Sequence, residues 1–235
     1  MTTAAVVPAA GRGERLGPGT PKALRLLGGV PLLVHAVRAL SAARSVDLVV
    51  VAAPADGVTQ VRALLTDHEV GAEVSVVAGG ATRQESVRLA LAALPADVDV
   101  VLVHDAARPL APVELVDRVA AAVRDGADAV IPGLPVADTV KRVDPAGRVE
   151  ETLDRSVLRA IQTPQGFRRG VLEAAHAAAD GAVSDVTDDA GLVERAGGTV
   201  VVVPGDEEAF KVTRPLDLLL AEALLARRRA LRSQP

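Results

Sequence analysis

Short runs rich in valine recur along this 235-residue chain, and each is followed by a segment in which Leu, Val and Ala fall at helical spacing. The runs are continuous rather than alternating in polarity, which is typical of strands covered on both faces. Strand and helix in alternation predict an α/β fold with a doubly wound, mostly parallel sheet. The predicted strands are Ala4–Val7, Leu48–Ala52, Val74–Val77, Val98–Val103, Ala129–Ile131 and Thr199–Val203.

Helices are predicted between these strands, and three of them open at a proline. A proline at the start of a helix costs little, because its missing N–H would have no partner there. The sequence shows no internal repeat and no linker, so we expect one domain over residues 1–235. The predicted helices are Pro31–Ala42, Val58–Thr66, Thr82–Leu94, Pro112–Arg124, Arg168–Ala178, Asp188–Arg195 and Pro215–Arg229.

One stretch, residues 133–160, breaks the alternation. Here Asp144, Pro145, Ala146 and Gly147 form a turn sequence between two short polar segments. A lone hairpin buries little surface. We therefore expect an arm that projects from the sheet onto a partner subunit.

The composition excludes several kinds of function. Only 1% of the residues are aromatic, and the chain has no cysteine, so disulfides, thiol nucleophiles and Cys-ligated metals are excluded. Without aromatic platforms and with a net charge of -4, nucleic acid is not an expected partner. No apolar run approaches the roughly 18 residues that cross a bilayer, and the amino terminus lacks the basic region of a signal peptide. We expect a cytoplasmic protein with no membrane partner.

Ligands of such sheets bind beyond the carboxyl ends of the strands. After the first strand, Gly11 and Gly13 let the backbone approach a phosphate, and Arg15 and Lys22 can neutralise its charge. The glycine spacing matches neither a dinucleotide-binding fingerprint nor a P-loop. Because the dinucleotide-binding spacing is missing, a dehydrogenase is excluded. The alternative for this loop is a surface turn with solvated charges.

Two further loops follow strands. In Gly79–Val87, Thr82 and Glu85 form a capping box, which leaves Arg83 and Ser86 near the mouth of the crevice. In His104–Pro109, Asp105 can bind a metal or a ligand hydroxyl; the alternative is a salt bridge from Asp105 to Arg108 that fixes the turn. Lys211 brings another cation from the loop after the last strand. We expect His104 to be structural, and we assign no role to His35, His68 and His176.

In order and spacing, these loops resemble the 2-C-methyl-D-erythritol 4-phosphate cytidylyltransferase family from about residue 4 to residue 220. The matching segments are PAAGRGERLG, PK, GGATRQESV, VHDAARP, DTVKR, LDR, TPQ and KVTRP. The resemblance implies a Rossmann-like sheet with a dimerising arm and a homodimer. It also implies a Mg2+-dependent reaction of CTP with methylerythritol phosphate, in which the acceptor phosphate attacks in line and pyrophosphate leaves.

The resemblance implies a role for particular residues. Arg15, Lys22, Arg155 and Lys211 would be catalytic, with Arg155 and Thr139 coming from the partner's arm. The nucleotide would be bound by Pro8, Ala9, Ala10, Gly11, Gly80, Ala81, Arg83, Ser86 and Ala106, and the acceptor by Asp105, Arg108, Thr139, Thr163, Thr187 and Thr213. No metal ligand is identified.

Ala81 stands where the family often has an acidic residue, so we expect backbone groups to select the base. Phe167 and Phe210 are expected to pack behind the acceptor site, with neither ring stacked on cytosine. Two alternatives remain open, a ribitol-5-phosphate cytidylyltransferase and a catalytically silent nucleotide-binding protein of the same fold.

Overall fold

The computed structural model describes residues 1–11, 21–71, 73–179 and 186–232. Its main sheet has the strand order β10-β7-β11-β6-β1-β4-β5, and β12 pairs with β7. The strands are β1 Thr2–Pro8, β2 Leu26–Leu27, β3 Val30–Pro31, β4 Leu48–Ala53, β5 Glu73–Ala78, β6 Val98–Val103, β7 Ala129–Pro135, β8 Lys141–Val143, β9 Val149–Thr152, β10 Arg159–Ile161, β11 Gln165–Arg168 and β12 Val200–Pro204.

Helices cover both faces of this sheet. They are α1 Leu32–Ser41, α2 Val58–Asp67, α3 Arg83–Ala92, α4 Val113–Arg124, α5 Arg169–Ala178, α6 Asp189–Arg195 and α7 Pro215–Arg232. The predicted alternation is confirmed, with small shifts at the element ends. Pro215 is the first residue of α7, as predicted. Pro31 and Pro112 are instead extended N-cap residues, with ψ angles of 143° and 146°, so α1 and α4 each begin one residue after the predicted proline.

The central strands β1, β4 and, after the exposed Asp99, β6 are buried on both faces, as their apolar runs predict. The outer strands β5 and β12 are largely exposed or only partly covered, so the prediction is wrong for these two. Successive side chains alternate between the two faces. Ala5 and Val7 of β1 therefore join the core under α1 and α4, while Ala4 and Val6 join the core under α3 and α5. Small side chains at these positions let the helices pack closely on the sheet.

Two short antiparallel strands that the sequence does not predict join the otherwise parallel sheet, which keeps the predicted mostly parallel arrangement. β11 lies between β6 and β7 and runs antiparallel to both, and β10 pairs antiparallel with β7. Gly166 of β11 faces α4, where an added Cβ would come within 2.7 Å of Val119. The strand is only four residues long, and its buried residues are adjacent rather than periodic, so the sequence carried no strand pattern here.

The predicted arm is present as the hairpin β8–β9, which forms a separate two-stranded sheet with every strand residue exposed. The Asp144 carboxylate closes its turn by accepting hydrogen bonds from the N–H groups of Ala146 and Arg148, both at 2.9 Å. Among the described residues, no helix combines the length and the apolar character needed to cross a membrane.

Candidate functional site

A pocket opens at the carboxyl ends of β1 and β6, where three of the predicted loops meet. The turn after β1, the loop before α3 and the turn after β6 form its walls, and Lys22 and Lys211 reach it from other parts of the chain. Its lining comprises Pro8, Ala9, Ala10, Gly11, Lys22, Ala23, Gly80, Ala81, Thr82, Arg83, Ser86, Asp105, Ala106, Ala107 and Lys211. Every nucleotide-binding residue predicted from the sequence is in this set.

Glycine lets two of these loops approach each other. A Cβ added to Gly79 would lie 2.8 Å from the Cβ of Ala10 and 3.0 Å from Ser86 Oγ. Contacts that close are essentially absent from folded proteins, so a larger residue at position 79 would push the loops apart. The Gly79 N–H donates to the carbonyl of Ala53 (2.7 Å), which fixes the loop directly after β5.

The loop before α3 is closed by the predicted cap. Thr82 Oγ1 accepts from the Glu85 N–H (3.0 Å), and the Glu85 carboxylate accepts from the Ala81 N–H (2.7 Å). Ser86 Oγ accepts from the Gly80 N–H (3.1 Å) and donates to the Thr82 carbonyl (2.8 Å). Because these N–H groups are bonded within the loop, backbone recognition by Gly80 and Ala81 would use their carbonyl oxygens.

Asp105 lies at the centre of the charged groups in the pocket. Its Oδ1 accepts from Arg83 Nε (3.2 Å), its Oδ2 is 2.8 Å from Lys211 Nζ, and Arg108 Nε is 4.0 Å away. Burial alone would raise the pKa of Asp105, but Arg83 and Lys211 outweigh it and hold that pKa well below its usual range. Asp105 is therefore an anion at any physiological pH.

The charge balance of the described lining is positive. Lys22, Arg83 and Lys211 are cations, and Asp105 is the carboxylate among them, which leaves an excess of two positive charges. The salt bridge from Asp105 to Arg108 named as the alternative is present at 4.0 Å, but Arg83 and Lys211 are closer partners, so that salt bridge does not account for all the contacts of Asp105. A pocket of this charge favours a polyanion.

His104 is buried behind this carboxylate and is structural, as expected. Its Nε2 donates to the Arg108 carbonyl (3.2 Å), because a carbonyl only accepts, and its Nδ1 then accepts from the Thr163 hydroxyl (3.2 Å). The same hydroxyl accepts from the Asp105 N–H (3.0 Å). Burial lowers the pKa of His104 to about 4, so the ring is neutral and holds the turn that carries Asp105.

Of the six predicted acceptor-binding residues, Asp105 lines the pocket and the other five do not. Arg108 is buried, and its guanidinium donates to the carbonyls of Ala209 (2.6 Å) and Ile161 (3.3 Å). Thr213 Oγ1 bonds the Asp217 carboxylate (2.8 Å) at the start of α7. Thr163 is buried between His104 and Asp105 as described above. Arg108 and Thr163 link separate segments around the pocket, whereas the hydrogen bonds of the Thr213 hydroxyl lie within residues 211–217.

The arm residues Thr139 and Arg155 are exposed and do not line the pocket of their own chain. Arg155 is bonded to the carbonyl of Ala137 within the arm. Thr187 is exposed just before α6. Arg15 lies outside the described residues. Phe167 is fully buried in the core and Phe210 packs beneath α7, so neither ring lines the pocket.

Sequence reasoning missed one pair of residues behind the pocket. Asp189 Oδ2 accepts from Arg83 Nη1 (2.6 Å), and Asp189 Oδ1 accepts from His176 Nε2 (3.0 Å). The sequence does contain a signal for this pair, because two aspartates, Asp188 and Asp189, stand at the start of α6 and a helix cap needs only one. Asp188 is the cap and accepts from the Gly191 N–H. Asp189 was thus free for another partner.

The described residues contain no group of three or more side chains suited to bind a metal by themselves. In the pocket, Asp105 already engages both of its oxygens with cations. This donor set fits Mg2+ held mainly by substrate phosphates and water, which is its usual mode with nucleotides. It does not fit an all-protein metal cage.

Comparison with known proteins assigns a family to these features. The family model for 2-C-methyl-D-erythritol 4-phosphate cytidylyltransferase matches residues 3–227. The protein of that name from Streptomyces avermitilis is 61% identical, and the aligned region covers 97% of this chain and 93% of the relative. The one from Frankia casuarinae is 64% identical and covers 95% and 81%.

Solved structures agree. The chain superposes on 4-diphosphocytidyl-2C-methyl-D-erythritol synthase from Anaerococcus prevotii with a TM-score of 0.84 and 29% identity, covering 96% of both chains. The 2-C-methyl-D-erythritol 4-phosphate cytidylyltransferase of Thermus thermophilus gives a TM-score of 0.76 and 37% identity, covering 96% of this chain and 100% of the other.

Proposed function

The chain belongs to the 2-C-methyl-D-erythritol 4-phosphate cytidylyltransferase family, and we propose that it joins CTP to 2-C-methyl-D-erythritol 4-phosphate through the pocket described above. An oxygen of the acceptor phosphate attacks the α-phosphorus of CTP in line. The bond from that phosphorus to the bridging oxygen of the β-phosphate breaks, so the products are 4-diphosphocytidyl-2-C-methyl-D-erythritol and pyrophosphate.

The collection of cations around one ionised carboxylate is the observation that carries this proposal. Phosphoryl transfer requires positioning and stabilisation of charge, with no protein nucleophile. Lys22 lines the pocket, and Arg15 follows the same strand in sequence. We assign these two residues to the charge on the α-phosphate and on the departing pyrophosphate.

The nucleotide is assigned to the side of the pocket formed by β1 and the α3 loop. Gly80, Ala81 and Ser86 bring small side chains to this wall, together with the alanines after Pro8. Cytosine presents a donor amino group, which the carbonyl oxygens of Gly80 and Ala81 can accept because their N–H groups are already bonded. Base selection by the backbone would thus survive the lack of an acidic residue at position 81.

The acceptor is assigned to the Asp105 side. A carboxylate offers about four acceptor positions, so Asp105 retains room for polyol hydroxyls after Arg83 and Lys211 are bound. Lys211 is placed to meet the acceptor phosphate, with Arg155 and Thr139 from the arm of a partner subunit. The remaining residues assigned to the acceptor are Thr163, Arg108, Thr187 and Thr213. Thr163 and Arg108 contribute chiefly by holding the turn that carries Asp105.

Mg2+ is proposed to enter with the phosphates of CTP. It would neutralise charge as pyrophosphate departs. The protein's part is to present Lys22 and the other cations around the bound phosphates. The homodimer is proposed from the exposed arm, since Arg155 and Thr139 do not reach the pocket of their own chain.

An assay of pyrophosphate release tests this proposal. Wild-type protein with CTP, Mg2+ and 2-C-methyl-D-erythritol 4-phosphate should release pyrophosphate, and replacing the acceptor by ribitol 5-phosphate should give a much lower kcat/KM. Lys22→Ala should lower kcat by on the order of 100-fold, because it removes a charge-stabilising group. Arg44→Ala, which removes an exposed cation outside the pocket lining, is the matched control and should retain full activity.

Three results would count against the proposal. Faster turnover of ribitol phosphate would favour the ribitol enzyme instead. Binding of CTP with no pyrophosphate release from either acceptor would favour a silent nucleotide-binding protein. Full activity in Lys22→Ala would reject the assigned mechanism.

A further inference from the structure

A buried chain of charged and polar groups runs from the pocket into the protein. Arg83 lines the pocket, and its Nη1 donates to Asp189, which in turn accepts from His176. Asp189 is 1% exposed and His176 is 3% exposed. The chain joins α3, α6 and α5, three helices that also share an apolar core on this face of the sheet.

Stability does not account for this arrangement. Burying an ion pair costs about as much in desolvation as it gains, and an apolar replacement of similar volume is often as stable. Arg83 also has a carboxylate partner in Asp105 already. The carboxylates hold the guanidinium at two different nitrogens, Nε by Asp105 and Nη1 by Asp189, so the plane of the group is fixed.

We propose that Asp189 and His176 are positioning residues for the acceptor substrate. They fix the buried end of Arg83, so that Arg83 Nε orients the Asp105 carboxylate toward the polyol hydroxyls. Without Asp189, Arg83 Nη1 would lose its carboxylate partner, and Arg83 Nε would hold the Asp105 carboxylate less firmly. This inference rests on the assignment of Asp105 to the acceptor in the proposed function.

The His176 ring offers a clean way to test the chain. Its Nε2 donates to Asp189, because a carboxylate only accepts, while its Nδ1 is buried without a hydrogen-bond partner among the described residues. Loss of the ring thus removes one hydrogen bond. Glutamine can place an amide N–H near the position of Nε2, whereas leucine fills the space with no donor.

The test is steady-state kinetics of pyrophosphate release with His176→Leu, His176→Gln and Asp189→Asn. CTP and the acceptor are varied separately, and the acceptor is whichever polyol phosphate the wild-type protein uses. Because a misoriented Asp105 would lose hydrogen bonds to the acceptor hydroxyls, we expect His176→Leu and Asp189→Asn to raise the acceptor KM by roughly 10- to 100-fold. The KM for CTP should rise much less than the acceptor KM, although Arg83 also lines the pocket beside the predicted nucleotide-binding residues. His176→Gln should recover most of the loss.

Asp117→Asn is the matched control for a general loss of stability. Asp117 accepts from the N–H and hydroxyl of Ser45, at 3.0 and 2.6 Å, near the amino-terminal edge of the sheet and away from the pocket. If Asp189→Asn does not fold, the two His176 variants carry the test.

Wild-type KM values in His176→Leu would overturn the inference. Two further results would overturn it. One is a loss of kcat/KM that is equal for the two substrates and is also seen in Asp117→Asn when that variant has the same drop in Tm. The other is a His176→Gln variant as impaired as His176→Leu. A wild-type protein that uses no polyol phosphate would instead reject the proposed function, and that result appears before any variant is compared.

Discussion

Asp105 shows how neighbours decide the chemistry of a single residue. Its carboxylate is buried, yet two close cations keep it ionised, and the neutral His104 behind it supports its backbone through Thr163. The motif around Asp105 identified the residue from sequence. Its partners could not be identified, because Arg83 and Lys211 come from segments 22 residues before and 106 residues after it and meet only when the sheet forms.

The neutral state of His104 predicts a pH dependence of stability. Its pKa is about 4 in the folded protein, against 6.5 for an ordinary histidine, because of burial. Between these values the unfolded chain binds one more proton than the folded chain, so stability falls as pH falls through this window. For this residue the loss at about pH 5 relative to about pH 7.5 is on the order of 2 kcal/mol.

Urea unfolding at those two pH values measures this loss. His104→Gln removes the titrating group and should reduce the difference in unfolding free energy between the two pH values by about that amount. An unchanged difference in the variant would show that His104 titrates normally in the folded protein.

At the scale of elements, the alternation of strands and helices was predictable, while the short strands were not. Continuous apolar runs such as Leu48–Ala53 are typical of strands buried on both faces, and this strand is buried along its whole length. β10 and β11 owe their conformation to pairing with β7, and their sequences are too short to show a period. Tertiary contact thus decides where the antiparallel strands lie in a sheet that the sequence predicts as mostly parallel.

The cap of α3 gives a prediction at this scale. Thr82→Ala removes the oxygen that accepts from the Glu85 N–H and should lower the free energy of unfolding by about 1 kcal/mol. The matched control is Thr66→Ala, because the Thr66 hydroxyl donates to the carbonyl of Arg62 within the last turns of α2 and caps nothing. Its cost should stay below about 0.5 kcal/mol. Equal losses in the two variants, measured in urea, would contradict a capping role.

At the scale of the whole molecule, the pocket is assembled from both ends of the chain. Lys22 and Lys211 stand in the same lining, and α7 ties the segments behind them together, since Glu222 accepts from the Gly28 N–H at 2.7 Å. The exposed arm extends the assembly further if, as proposed, it completes the site of a partner. Two inactive variants then test whether sites are shared.

Mixing Lys22→Ala with Arg155→Ala should restore activity. In the proposed two-fold dimer, each site takes Lys22 from one chain and Arg155 from the other. A heterodimer of the two variants therefore has one site with both residues intact and one site that lacks both. Random reassociation should therefore recover about one quarter of wild-type activity. If Arg155 served its own chain, every site in the mixture would lack one of the two residues and activity would stay absent. Wild-type protein denatured and reassociated in the same way is the control.

The sequence by itself determined the fold class and which loops line the candidate site, because apolar periodicity and the position of a loop after a strand are local properties. It also determined the family, through motifs such as VHDAARP and KVTRP. The tertiary structure decided the ion pairs: that Asp105 bonds Arg83 and Lys211 rather than mainly Arg108, and that Asp189 and His176 stand behind Arg83. Ion pairs depend on distances between segments far apart in the chain, and those distances exist only after the sheet and helices have packed.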